Sequence, residues 1–210
     1  MSTIMTSEQR VSKVFQLLET ADKKEHTVGK MLPLDHALRT AQLAKNEGSD
    51  EETILAALFL NIGHFVPPPE QWSDARGPIN ISFTVVDVVG NISAGKYDKV
   101  GAEYLRQLGF SQKTYELVGS QALAIPFIVD RIPPYQRTPG TIAVKPPTFT
   151  SPLSSTEMRE FKNDPLFDQK VQLVKWSDAA TKTTEVKPPT LDAYRDMAIR
   201  NVSMGMRTLY

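Results

Sequence analysis

Apolar side chains in the first quarter of this chain recur three and four residues apart, the spacing that places them on one face of an α-helix. The pattern predicts a first amphipathic helix over residues 7–22 and a second over residues 34–45. Gly48, just beyond the second segment, is typical of a helix C-cap. The chain therefore begins with two predicted amphipathic helices.

Ser49 and Glu52 have the spacing of a capping box and predict that a third helix begins there and runs through Leu60. Its residues are apolar nearly all round, so we expect this helix to lie at the centre of the fold. Consecutive prolines near residues 66–69 then end it. The β-branched segment 81–89 resembles a strand but has no second strand to pair with, and we interpret it as a buried helix.

The second half of the chain also follows a helical pattern. Residues 98–108 and 112–129 predict two further helices, and Pro126 should kink or end the second of them. Residues 133–152 form a long segment rich in Pro and Thr, which predicts a functional lid or a mobile loop.

Three more signals predict helices in the last third of the chain. Ser154 and Glu157 form another capping box, residues 167–180 carry a core-facing pattern, and residues 190–209 form a last helix. The sequence therefore predicts an all-α protein, a single domain over residues 1–210 with about seven helices and long Pro-rich loops.

Composition excludes several classes of function. The 24 basic residues balance the 24 acidic ones without a local basic cluster, so nucleic acid is not expected as a partner. With no cysteine, thiolate catalysis, disulfides and cysteine-bound metals are excluded. No apolar stretch is long enough for a bilayer and no signal peptide precedes the first helix, so we expect a cytoplasmic protein without a membrane partner.

Two motifs stand out in the first third of the chain, Leu-Asp-His-Ala-Leu-Arg-Thr-Ala at residues 34–41 and Ala-Ala-Leu-Phe-Leu-Asn-Ile-Gly-His at residues 56–64. Together they resemble the opening of an HD-domain protein. Residues 101–110, 118–125 and 161–180 agree in order and spacing. The resemblance covers nearly the whole chain. Within the HD-domain proteins, the motifs are most similar to the oxygenase branch, which includes the phosphonate-cleaving di-iron oxygenases and, more distantly, myo-inositol oxygenase. It implies an HD-domain-like helical bundle.

In that family six positions hold two metal ions: a first His, a His-Asp pair on the next helix, two later His and a C-terminal Asp. By resemblance, His36 keeps the first position. The other five positions are occupied here by Leu60, Asn61, Tyr97, Gln121 and Ser177. Leucine cannot coordinate, and neutral polar side chains supply none of the charge that holds a divalent cation against water. We therefore expect that the metal has been lost and that no cofactor replaces it.

Two family lysines that contact the substrate are also replaced, by Ile125 and Thr181. The resemblance thus implies a pocket less charged than that of the family, built from residues 26–64, 97–125 and 176–181. A phosphonate is therefore not the expected substrate. We expect Leu60, Asn61, Gln121, Ile125, Ser177 and Thr181 to line the substrate.

The resemblance places all three histidines of the chain, His26, His36 and His64, around this one cavity. Histidine is the side chain best matched to proton transfer near neutral pH. We assign His64, His36 and Tyr97 as candidate catalytic residues and His26 as a substrate contact. The alternatives are that the histidines are hydrogen-bonded core residues, and that Tyr97 and Gln121 merely fill the emptied metal cavity.

Two carboxylates near these motifs have structural interpretations. Asp35 points about 100° away from its neighbour His36 on a helix, so we expect it to pair with Arg39 or to lie at the surface. Asp178 is expected to be a structural carboxylate that accepts hydrogen bonds from the backbone.

Three functional hypotheses follow. The first is a metal-independent isomerase, lyase or cyclase that uses histidine acid-base chemistry on a small, largely apolar intermediate of specialised metabolism. The second is a non-catalytic descendant that binds a small molecule or stabilises a partner. The loss of five of six ligands is what drift would produce once selection for chemistry ended. The third hypothesis keeps a single metal ion on His36 and His64, with water or substrate completing the coordination shell, as an oxygenase or hydrolase. A homo-oligomer is compatible with all three.

Overall fold

The computed structural model describes residues 5–23, 31–66, 73–74, 77–78, 95–132, 153–182 and 187–207. Within these residues it contains nine α-helices, which makes the fold all-α as the pattern of apolar positions predicts. They are α1 (Ser7–Lys23), α2 (Pro33–Asn46), α3 (Glu51–Leu58), α4 (Gly95–Gln107), α5 (Gln112–Val118), α6 (Gln121–Arg131), α7 (Ser155–Lys162), α8 (Phe167–Lys182) and α9 (Arg195–Arg207).

Short elements complete the described fold. A 3-10 helix, Ile62–His64, follows α3, and a second one, Leu191–Tyr194, leads into α9. Two-residue strands, Ser73–Asp74 and Gly77–Pro78, pair antiparallel. None of the described helices is long and apolar enough to cross a membrane.

Helix α3 lies at the centre, as its apolar composition predicts, and residues 53–58 are all buried. It packs against α2, α5, α8 and α9, while α1 packs against α2 and α9. The main core gathers around Phe59, whose ring contacts Phe15 in a tilted arrangement and Phe110 edge-on. This packing fixes the turn after α3, which carries the predicted site residues Leu60, Asn61 and His64.

The beginning of α3 corrects the predicted capping box. Asp50, rather than Ser49, is the N-cap, and its side chain accepts a hydrogen bond from the Thr53 amide at 3.0 Å. Asp is as good an N-cap as Ser, and Asp50 also pairs with Lys113 of α5. The helix ends at Leu58, so Leu60 lies in the turn beyond it.

The predicted helix over residues 112–129 is two helices, α5 and α6, which are separated at Gly119 and Ser120. Pro126 does not end α6, which continues to Arg131 and forgoes one backbone hydrogen bond at the proline. The last predicted helix is also divided, because its first turn is the 3-10 helix before α9.

The capping box of Ser154 and Glu157 at α7 is confirmed, with both reciprocal hydrogen bonds present. The predicted helix over residues 81–89 and the predicted lid over residues 133–152 lie outside the described residues.

Candidate functional site

His36 lies on the inner face of α2, where the helical spacing that buries Ala37, Ala41 and Ala44 also buries its ring. The side chain is only 2% exposed. Its Nε2 donates to the backbone carbonyl of Ser177 at 2.9 Å, because a carbonyl oxygen can only accept. Desolvation of the buried ring lowers the pKa of His36, so it is neutral at neutral pH.

Asn61 contacts the other ring nitrogen of His36. Its Nδ2 lies 3.4 Å from His36 Nδ1, which is the acceptor once Nε2 carries the proton. The Ser177 hydroxyl lies 3.5 Å from His36 Nε2. Asn61 and Ser177, which the resemblance assigns to metal positions, therefore both contact His36, which it assigns to another.

Gln121 is held at the N-terminus of α6, where its amide donates to the backbone carbonyl of Leu60 at 2.8 Å. Leu60 itself is buried in the main core. The predicted residues Leu60, Asn61 and Gln121 are therefore brought together with His36 and Ser177. The four polar residues of this set each use at least one hydrogen-bonding group within the protein; they are His36, Asn61, Gln121 and Ser177.

His64 and Tyr97 form the second part of the site. Their rings are stacked, with centroids 4.1 Å apart and an interplanar angle of 26°. His64 is exposed, in contrast to His36. Desolvation lowers the pKa of His64, so its imidazole is neutral at neutral pH.

Two glycines bring the 3-10 helix of His64 against α4, which carries Tyr97. A Cβ on Gly63 would lie 1.9 Å from the backbone oxygen of Tyr97, and a Cβ on Gly101 would lie 3.0 Å from the Gly63 nitrogen. The two backbones are in direct contact, which only glycine permits at this distance. This approach sets the ring of Tyr97 over the ring of His64.

The other predicted substrate contacts have partners of their own. Ile125 is 3% exposed and belongs to a smaller apolar cluster with Phe127 and Phe161. The Thr181 hydroxyl donates to the backbone carbonyl of Asp178 at 2.7 Å. The substrate role of Ile125 and Thr181 stays a prediction, and His26 lies outside the described residues.

The two carboxylates with structural interpretations have clear partners. Asp35 pairs with Arg39 at 2.8 Å, as expected. The prediction for Asp178 is wrong in its partner, since Oδ2 accepts from Lys182 Nζ at 2.7 Å rather than from the backbone. Its Oδ1 is buried without a hydrogen-bond partner among the described residues. The sequence could have predicted this ion pair, because Lys182 follows Asp178 by four residues, the spacing that brings two side chains together on a helix.

Asp98 is a residue that the sequence reasoning did not single out. It follows Tyr97 in α4 and is 7% exposed, and its Oδ2 accepts the Ala122 amide at 2.6 Å. It thereby caps the beginning of α6 next to Gln121, in place of Ser120, whose hydroxyl donates to Leu117. Burial raises the pKa of Asp98 to about 7. Its position at the start of a helix indicated only an ordinary acidic first turn.

The donor set does not fit the two metal ions that the resemblance implies. Among the described residues, no group of three or more His, Asp or Glu side chains is placed to hold a metal ion. At the substituted positions the oxygens of Asn61 and Ser177 are neutral, and Leu60 offers no donor. A proton on His36 Nε2, donated to Ser177, removes the lone pair that a metal would need at that nitrogen.

Comparison with known proteins gives two distant relatives. The chain is 25% identical over 197 residues to an uncharacterized protein of Acanthamoeba polyphaga mimivirus, over 93% of this chain and 83% of that protein. It is 25% identical over 211 residues to a hydroxymethylphosphonate dioxygenase of Gimesia maris, over 92% of this chain and 89% of that protein. No family model matches. By its name the second relative is a dioxygenase that acts on a phosphonate, and its similarity extends over nearly the full length of both chains.

Proposed function

We propose that the protein is a metal-independent enzyme that carries out acid-base chemistry on a small neutral substrate, with His64 as the general base. The ring of His64, an exposed residue, stacks on Tyr97, and this is the observation that carries the proposal. A base must be unprotonated and must reach its substrate. The lowered pKa of His64 and its exposure satisfy both conditions.

The residues at the substituted metal positions favour a neutral substrate. Asn61 and Gln121 carry amides, and Leu60 is apolar, so these positions supply hydrogen bonds without net charge. A phosphonate would need a cationic partner at such a site. Tyr97, whose ring lies against His64, supplies a phenol that can donate a proton or orient a carbonyl.

The reaction class follows from these groups. A neutral base and a phenol can remove a proton at one atom and return one at another, which is the chemistry of isomerisation, dehydration, hydration or cyclisation. None of these reactions needs an electron acceptor. His36 is assigned a positioning role in this proposal, because both of its ring nitrogens are already engaged.

Metabolite profiling with a His64→Gln variant tests the proposal. The purified wild-type protein is incubated in D₂O and EDTA with an extract of small metabolites, and mass spectrometry follows every species. We expect one species to be converted without chelatable metal, with deuterium incorporated where carbon is protonated. The rate should fall by about 100-fold or more in His64→Gln, the size of a general-base contribution.

A Tyr97→Phe variant is the matched comparison, because it keeps the stacked ring and removes only the hydroxyl. A rate loss in His64→Gln alone assigns the proton transfer to the imidazole of His64. A rate loss in both variants shows that the phenol of Tyr97 also takes part. Equal turnover by wild type and His64→Gln, with both proteins folded by circular dichroism, would contradict the proposal. So would turnover that requires added Fe²⁺.

A non-catalytic binding protein is the second candidate. It is favoured by the hydrogen bonds among His36, Asn61, Ser177, Gln121 and Leu60, which use polar groups that an enzyme would offer to its substrate. In that case a metabolite raises the melting temperature but is recovered unchanged. The same mixture of metabolites therefore separates the two candidates.

A further inference from the structure

Three elements that are distant in sequence meet at the ring of His36. The histidine is on α2, Asn61 lies in the turn after α3, and Ser177 is on α8. The ring donates at Nε2 to Ser177 O at 2.9 Å and accepts at Nδ1 from Asn61 at 3.4 Å. A neutral imidazole has one donor and one acceptor, and both are used here. The ring is 2% exposed, so solvent cannot replace either bond.

The Asn61 end of this contact leads directly to His64. Asn61 is the residue that precedes the 3-10 helix Ile62–His64, and its backbone carbonyl accepts the His64 amide at 3.2 Å. The Phe65 amide donates to Ile62 O at 2.9 Å and closes the same turn. The side chain and the main chain of Asn61 therefore link the buried ring of His36 to the backbone of the exposed residue His64.

We propose that His36, Asn61 and Ser177 form a neutral clamp, a hydrogen-bonded cross-link that joins α2, the α3 turn and α8 without a metal ion. In the family that the chain resembles, metal ligation would join the same positions. The clamp is a positioning device for the turn that carries His64. Only this last role rests on the proposed function, while the clamp itself stands on the contacts of His36.

Asn61→Ala and Ser177→Ala form a matched pair of variants. Asn61→Ala removes the only polar group opposite His36 Nδ1 among the described residues and leaves a buried acceptor unpaired. Ser177→Ala keeps the backbone carbonyl that accepts from Nε2 and removes only the hydroxyl at 3.5 Å. We expect Asn61→Ala to lower the melting temperature by about 5 °C and Ser177→Ala by about 1 °C or less.

Hydrogen exchange distinguishes the clamp from a general loss of stability. The amides of His64 and Phe65 should exchange at least tenfold faster in Asn61→Ala than in Ser177→Ala, while amides of α9 change only with global stability. Nitrogen-15 NMR of the wild-type protein should show His36 as the neutral Nε2–H tautomer at pH 7. An Nδ1–H tautomer, a charged ring, or equal exchange in the two variants would overturn the clamp.

Metal titration tests whether the clamp forms without a metal ion. Zn²⁺ and anaerobic Fe²⁺ at one equivalent should leave the His36 resonances and the melting temperature of the wild type unchanged, and EDTA should have no effect. A triple variant, Leu60→His, Asn61→Asp and Ser177→Asp, restores three donors and should gain Zn²⁺ binding in the same titration. Stoichiometric metal on the wild type that shifts the His36 resonances would overturn the clamp. Failure of the His64 experiment would contradict the proposed function alone.

Discussion

His36 and His64 show at the scale of single residues how the surroundings of one side-chain type decide its use. Burial lowers the pKa of both rings. His36 has both nitrogens hydrogen-bonded and is nearly inaccessible, whereas His64 is exposed beside an aromatic ring. Proton transfer requires access, so the two histidines are not interchangeable as catalytic candidates.

Asp98→Asn tests the buried carboxyl beside Tyr97. The pKa of Asp98 is about 7 in the folded chain and 3.8 as its ordinary value, so the folded state holds this proton more tightly. Stability from this group is therefore present below pH 4 and is lost as the pH rises to 7. Asn keeps an acceptor for the Ala122 amide but has no proton to lose.

The free energy of unfolding of Asp98→Asn relative to wild type should rise by about 2 kcal/mol between pH 5 and pH 8. Urea denaturation at the two values measures this difference. The lowered pKa values of His36 and His64 make the fold gain stability as the pH rises through 6.5, which is the opposite trend. Both proteins contain these histidines, so their contribution cancels when the free energy of unfolding of wild type is subtracted from that of the variant. A difference independent of pH would show that Asp98 titrates normally.

The contact between the 3-10 helix and α4 is the critical packing at the scale of elements. Gly63→Ala would place a Cβ 1.9 Å from the backbone oxygen of Tyr97, and backbone atoms cannot move aside as a flexible side chain can. We expect a loss of about 3 kcal/mol in the free energy of unfolding, at the upper end for overpacking. The stack of His64 on Tyr97 should be lost with it.

Gly119→Ala is the control, because its nearest contact is the side-chain Cβ of Ala102 at 3.1 Å and its φ is −74°. A cost of about 1 kcal/mol or less is expected there. Thermal denaturation measures the stabilities of both variants. Equal stability of the two variants would mean that the 3-10 helix and α4 do not touch through their backbones.

The elements themselves were largely predictable from the sequence, since burial of one face imposes a helical period that survives in the apolar positions. The errors lie at boundaries. Ser49 and Asp50 are both good caps, and only the backbone decides which one faces the Thr53 amide. The break between α5 and α6 falls at Gly119 and Ser120. The apolar positions on either side of these residues continue the same helical period, so the pattern does not reveal the break.

The site was predictable only where resemblance supplied the positions. His36, Asn61 and Ser177 are far apart in sequence, and no periodicity relates them. Their hydrogen bonds depend on how α2, α3 and α8 cross. Asp98 could not be found in this way, because its burial and its bond to Ala122 arise from the packing of α4 against α6.

Two apolar clusters organise the described part of the molecule, and α8 contributes to both. Leu173 and Trp176 belong to the main core, whereas Val171 and Val174 belong to the smaller cluster with α6 and α7. The smaller cluster is held by three aromatic rings with centroids 5.1–5.6 Å apart. Helix α7 packs mainly against α6, so it is weakly attached compared with the other described helices.

Phe161→Ala should therefore release α7 without unfolding the main core. Phe161 is 2% exposed, and its removal costs about 3 kcal/mol of packing, which a single eight-residue helix cannot replace. Hydrogen exchange of α7 should rise strongly while that of α3 stays slow, as expected for a locally unfolding unit. Phe59→Ala, in the main core, should instead raise exchange in every described helix. If Phe161→Ala also exposed α3, the two clusters would form one cooperative unit, and movements of α7 could not occur independently of the turn that carries His64.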